Sequence, residues 1–183
     1  MSAIIYNKLM TRIGNKGFIQ HQAGAGFTLI ELIVAIGILG ILAVAAIMAL
    51  DPVAQLQKSN DTRRKSDLAQ VQRALESYYQ DNNQYPITTA APYQITGVPW
   101  GNNWQRYMNI LPMDPNSAKK YVYYSEGQSY YLYANLDRGT LDSAVCKNLD
   151  SNKECSSIGT NKIQAKFCGG PCNYGVSSPD VSP

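Results

Sequence analysis

Between Phe27 and Leu50 the chain runs for 24 residues, FTLIELIVAIGILGILAVAAIMAL, with one ionisable side chain, Glu31. As a helix rising 1.5 Å per residue this stretch reaches roughly 36 Å, enough to cross the hydrocarbon core of a bilayer. A membrane helix is therefore the first reading. Glu31 constrains it further, because a carboxylate near the start of a lipid-facing helix costs about 3 kcal/mol or more unless a partner neutralises it. No Lys, Arg or His lies between Phe27 and Leu50, so the side chains of the helix cannot supply that partner. A free amine could, if the chain were cut just before Phe27.

Gly26 followed by FTLIELIVAIGILGILA resembles the N-terminal signature of the type IV pilin superfamily, whose precursors are cut after a glycine by a membrane-embedded prepilin peptidase. The resemblance implies cleavage between Gly26 and Phe27, N-methylation of the new Phe27 amine, and a role for Glu31, at the fifth mature position, in pairing with the amine of a neighbouring copy during assembly. An ordinary secretory signal fits less well, since its apolar region is shorter and ends, rather than begins, at the small-residue cleavage site.

Residues 1–26 then read as a leader to be removed. They carry Lys8, Arg12, Lys16 and His21 and no acid. The 16 basic and 13 acidic side chains of the whole chain become 13 and 13 once those three cations are gone, so the positive balance is no argument for nucleic acid. Arg63-Arg64-Lys65 is not one either, because mixed charge along a helix usually marks a solvated face. Orientation is not set by Lys and Arg, since Lys58, Arg63, Arg64 and Lys65 follow the apolar stretch as closely as the leader cations precede it. The resemblance sets it, with the leader cytoplasmic, the precursor in the inner membrane, and everything after Leu50 in an extracytoplasmic or cell-surface filament.

Within the apolar stretch, Ala35, Gly37, Gly40, Ala43, Ala45, Ala46 and Ala49 allow close approach of neighbouring helices. Gly37 to Gly40 is a candidate weak point that unwinds when copies pack, and Pro52 interrupts what precedes it. Residues 51–86 continue with helical character. Leu68, Val71, Leu75, Tyr78 and Tyr79 form one apolar stripe that needs a cover. Asp61, Arg63, Arg64, Lys65 and Asp67 lie outside the stripe and are expected to be solvated or to face charges on neighbouring copies. Asn82, Asn83 and Pro86 end the helix.

From residue 87 to 183 the chain reads as a globular β domain. Tyr121–Tyr124 and Ser129–Ala134 look like two strands of a hairpin joined through Ser125, Glu126, Gly127 and Gln128. The expected architecture is α+β: a long membrane-spanning helix continuing into an antiparallel sheet, one face of which covers the stripe. The run RRKSDLAQVQRALESYYQDNNQYP, with LPMDP and YVYY further on, is similar to the major pseudopilin of type II secretion. Asn116 and Ser117 stand where that family usually carries Trp-Gly, and its glycine-aspartate calcium loop is not evident. Together the two resemblances imply a structural subunit that polymerises through its N-terminal helix. A type IV pilus-like filament is the first reading, and the pseudopilus of a type II secretion system is the alternative. The implied partners are identical copies, a prepilin peptidase/methyltransferase, the pilus or secretion assembly platform, and the membrane before assembly.

Cys146, Cys155, Cys168 and Cys172 lie in a Gly-, Ser- and Asn-rich segment with little apolar content. Two disulfides are expected to hold it, with all three pairings open. A zinc site fits their spacing poorly. Asp137, Asp142, Asn148, Asp150 and Glu154 match no calcium loop and are expected to be solvated, so neither metal nor cofactor is anticipated. Val176–Pro183 reads as a short polar tail. Beyond residue 26 there is no His, no Gly-x-Ser-x-Gly and no phosphate-binding glycine loop, which speaks against an enzyme. Trp100 and Trp104 could stack on sugars, but core or subunit contacts are the expected use.

Overall fold

The structure is a computed structural model that describes residues 26–88 and 91–183. The leader reading of residues 1–26 thus falls almost entirely outside the described residues. The chain divides into two compact units, meeting between Ala49 and Leu50.

The first unit is dominated by α1, Leu29–Leu50, in which no side chain is buried. The helix is unbroken through Gly37 and Gly40, where an added Cβ would meet nothing within 4 Å. An apolar helix with every face open needs lipid or other helices around it in water.

In the second unit, α2 spans Pro52–Asn82. Asp51, with φ of 40°, accepts a hydrogen bond from the Ala54 N–H at 3.2 Å, and Pro52 fills the first turn, where its missing donor costs nothing. The helix closes at Asn83, which takes a left-handed conformation and returns its N–H to the Tyr79 carbonyl at 2.7 Å. Three short strands follow: β1, Val122–Ser125; β2, Tyr130–Ala134; and β3, Tyr174–Ser177. They form an antiparallel sheet in the order β1-β2-β3, with Tyr123 opposite Leu132 and Leu132 opposite Val176. The fold is α+β: a long apolar helix, then α2 and a three-stranded antiparallel sheet.

Alternation along the strands decides which residues meet α2. Tyr121 and Tyr123, with Tyr130, Leu132 and Ala134, bury against Leu68, Val71, Ala74 and Leu75 of the helix. Val122, Tyr124 and Tyr133 point the other way and bury against Ile158, Ile163 and the four cysteines. The sheet is therefore covered on both faces, by α2 on one and by the C-terminal loops on the other.

Two expectations change here. The hairpin loop is Glu126–Ser129, one residue later than the sequence pattern suggested, because Ser125 still pairs with Tyr130. The supposed polar tail supplies the end of β3, since Val176 and Ser177 pair with Leu132 and Tyr131. Tyr174 and Val176 alternate onto the helix side of the sheet, but four residues with Gly175 between them are too short a run to read as a strand without its partner.

Leu75→Ala, at a fully buried position, is expected to cost about 2–5 kcal/mol. Leu56→Ala, on exposed helix surface, should change stability by less than about 0.5 kcal/mol. Thermal unfolding of the detergent-solubilised chain measures both.

Candidate functional site

At the start of α1, Thr28 and Glu31 form a reciprocal cap. The Thr28 N–H and hydroxyl donate to one Glu31 oxygen at 2.9 and 2.8 Å, and the Glu31 N–H donates back to the Thr28 hydroxyl at 3.3 Å. This is the Thr-x-x-Glu capping box, whose signal is the three-residue spacing within FTLIE and which the search for a cation for Glu31 does not reveal. The threonine supplies hydrogen bonds and no charge, so the cap holds the carboxyl in place at the mouth of an apolar helix without giving it a cation. Phe27 beside it is 90% exposed, and Gly26 has open space around it.

The second feature is an ion cluster on α2. Arg64, whose side chain is wholly buried, bonds Asp61 at 2.7 Å, Asp137 at 2.8 Å, and both oxygens of Asp114 at 2.8 and 2.9 Å. Lys119 also pairs with Asp137. Asp61 accepts the N–H groups of Asp137 and Arg138 at 2.8 and 2.9 Å. The segment expected to be solvated is thus partly interior: Arg64, Asp61 and Asp67 are buried, and the Tyr121 hydroxyl donates to Asp67 at 2.8 Å. Helical periodicity could not reveal this, because an arginine is buried only where acids from elsewhere converge on it.

Burial would raise the Asp137 carboxyl, but hydrogen bonds from Lys119 and Arg64 outweigh it and hold the group below the ordinary carboxylate range. Asp142 is held low chiefly by its hydrogen bond from Lys65. Burial would weaken the Arg64 cation, yet Asp114, Asp137 and Asp61 push its pKa upward.

The remaining candidates are placed by the C-terminal loops. Cys146 bonds Cys155 and Cys168 bonds Cys172, all four being buried under the sheet. The turn between the second pair needs Gly169, with φ of 79°, because a Cβ there would lie 2.1 Å from the Ala118 carbonyl oxygen. Of the carboxylates expected to be solvated, Asp137 and Asp142 are ion-paired and Glu154 is fully buried, accepting the N–H groups of Lys166 and Cys172. Among the described residues no His, Cys, Asp and Glu side chains are grouped so as to hold a metal ion. Trp104 is buried, stacked on Tyr78 at 5.7 Å between ring centres, and Trp100 packs edge-on against Tyr121 at 5.6 Å. Their rings are spent on the core.

The family described as "Type II secretion system (T2SS), protein G" matches residues 52–140, and the "Prokaryotic N-terminal methylation motif" matches residues 23–47. The type II secretion system core protein G of Pseudomonas aeruginosa is 34% identical over 106 residues, 52% of this chain and 70% of that protein. This chain belongs to the type II secretion system protein G family. The core protein G of Vibrio cholerae is 31% identical over 122 residues, 64% of this chain and 75% of that protein, and that of Aeromonas hydrophila is 35% identical over 102 residues, 52% and 70% respectively. No solved structure matches the chain significantly. The protein G match contains Arg64, Asp61, Asp114 and Asp137 but ends at residue 140. Both disulfides and β3 lie beyond it. Of the two filament readings the sequence allowed, these relatives favour the secretion pseudopilin over the pilus subunit.

Arg64→Ala would leave Asp61 and Asp114 without a cation and Asp137 with Lys119 alone, and a loss of about 3–5 kcal/mol is expected in chemical denaturation. For Asp137 and Asp142 the folded-state pKa lies below the unfolded value, so the unfolded chain binds more protons in the interval between them. Their contribution is fully present above about pH 4 and is lost as the pH falls through the folded values. Melting temperature should therefore drop on acidification below about pH 4, and the Asp137→Asn variant should show a shallower drop.

Proposed function

We propose that this chain is the major pseudopilin of a type II secretion system, a structural subunit and not an enzyme. The observation that carries the reading is α1: 22 residues, polar only at Glu31, with no buried side chain and with that acid capped but uncompensated at its start. That surface is covered by lipid in the precursor and by the α1 helices of neighbouring copies in the polymer. Exchange of lipid for protein needs small residues at the contacts, which Gly37, Gly40 and the alanines provide.

In this reading residues 1–26 are a leader, residues 27–50 the membrane and filament-core helix, residues 51–86 its amphipathic continuation, and residues 87–183 the globular part. A prepilin peptidase cuts between Gly26 and Phe27 and methylates the Phe27 amine. The precursor sits in the inner membrane with its N-terminus cytoplasmic. The Glu31 carboxylate then meets the Phe27 ammonium of an adjoining copy, replacing a costly lone charge with a pair as the helix leaves the bilayer. The secretion assembly platform is the implied partner of the growing end.

A surface pilus is the second reading. It is favoured by one feature, the disulfide-held layer beyond residue 140, outside the region matched to protein G. Disulfides resist reduction in oxidising surroundings, which suits either location.

Mass spectrometry of the protein from its own cells should find a mature N-terminus at methylated Phe27. Glu31→Gln should leave cleavage intact and abolish incorporation into filaments. A mature chain still beginning at Met1, or filaments indifferent to Glu31→Gln, would overturn the proposal. Deleting the gene should stop export of folded proteins if the polymer is a pseudopilus, and remove long surface fibres if it is a pilus.

A further inference from the structure

Beside the Arg64 cluster lies a polar cleft of about 380 Å³, lined on α2 by Lys58, Asp61, Thr62 and Lys65 and on the loop after β2 by Arg138 and Asp142, among others. Its acids are already spent. Asp61 serves Arg64 and two backbone N–H groups, and Asp142 serves Lys65 and the Ala144 N–H. Two of its cations are not spent: among the described residues neither Lys58 nor Arg138 belongs to an ion pair. Arg138 is close enough to Asp142 to help hold that carboxyl low, yet not within pairing distance. The cleft is thus a cationic recess with room for a carboxylate.

The matching acids stand at the other end of α2. Asp81 is exposed in the last turn and carries no ion pair among the described residues. Glu126 is exposed on the β1–β2 turn, which docks at the same end through the Tyr85 N–H and the Gly127 carbonyl at 2.8 Å. Arg106 stands near this end through its neighbour Tyr107, which accepts from Asn82 at 3.2 Å, and Glu126 accepts the Tyr124 hydroxyl at 2.6 Å through one oxygen and leaves the other exposed to a cation.

We infer that the Lys58/Arg138 cleft receives the Asp81/Glu126 end of a second copy of this chain, a head-to-tail contact that sets the stagger between neighbouring subunits. The placement of the patches carries the inference. Lys58 and Asp81 are separated by roughly 35 Å along α2 and about 140° around it, so one molecule cannot bring them together. Nor can a two-fold dimer engage both patches in one flat interface, because they do not share a face. Each copy instead offers a free donor end and a free acceptor end, and such a heterologous contact repeats without closing. Complementary charge at the rim of an interface selects register and partner more than it adds affinity. The inference rests on the filament reading above and adds its polar contact.

The full-length chain, expressed in its own cells, tests it. Lys58→Glu with Arg138→Gln should lower filament yield about tenfold through like-charge repulsion, while the melting temperature of the solubilised protein stays near that of the unmodified chain. Adding Asp81→Lys and Glu126→Lys to the same chain should restore filaments. Unchanged yield after the first reversal, or no rescue by the second, overturns the inference. Should the reversed chains fail to fold, unmodified filaments grown from mixed light and heavy isotopes decide. A zero-length carbodiimide should join Lys58 of one copy to Asp81 or Glu126 of another, and absence of that mixed cross-link overturns the contact. Glu31→Gln run in parallel separates the two readings. Filaments that need Glu31 but are indifferent to Lys58 and Arg138 sink the contact alone, and cells whose unmodified chain never polymerises sink both.

Discussion

Arg64 is a charge that the interior can hold only because three acids meet it there. Its guanidinium, all donors and no acceptor, is bonded by Asp61 from its own helix, by both oxygens of Asp114 from the turn before β1, and by Asp137 from the loop after β2. The partners are 3, 50 and 73 residues away in the chain. A buried ion pair adds little net stability over an apolar substitute, but breaking it is costly, so the arrangement favours one docking of these loops over all others. The position of Arg138, and with it the cationic cleft beside the cluster, follows from Asp61 holding the two N–H groups that begin that loop.

The sheet shows the same economy in apolar terms. Three strands of four or five residues would be marginal alone. Here tyrosine alternation supplies large side chains to both faces, with α2 covering one and the disulfide-held loops the other. Hydroxyl groups that reach the interior find partners: Tyr121 on Asp67, Tyr123 on the Pro86 carbonyl, Tyr133 on Ser157. Apart from Tyr93, the second cover is built from sequence beyond residue 140, where the match to the protein G family ends.

The apolar helix, the stripe at Leu68, Val71 and Leu75, and the hairpin were all legible in the sequence, because each is a local pattern of period 3.6 or 2. So was the Thr28–Glu31 cap, a spacing of three residues at the start of the helix. Arg64 was not legible. In the sequence it sits between Arg63 and Lys65 and looks like its neighbours, but Arg63 is largely exposed and Arg64 is sealed in the interior. β3 was hidden for the same reason, since it depends on β2 lying opposite, and the disulfides join consecutive cysteines 9 and 4 residues apart, one of three pairings the sequence leaves equal.

By itself, then, the order of residues determined a membrane-length helix with one acid at its entrance, an amphipathic helix after it, and a tyrosine-rich hairpin. Those outcomes depend on interactions within a few turns or across one short loop. Only the tertiary structure decided which charges are inside and which are free, which cysteines meet, and where unpaired cations and acids lie on α2. Asp114 and Asp137 reach Arg64 from 50 and 73 residues away and leave no period in the chain to read, and four cysteines close together admit three pairings that only their positions in space separate.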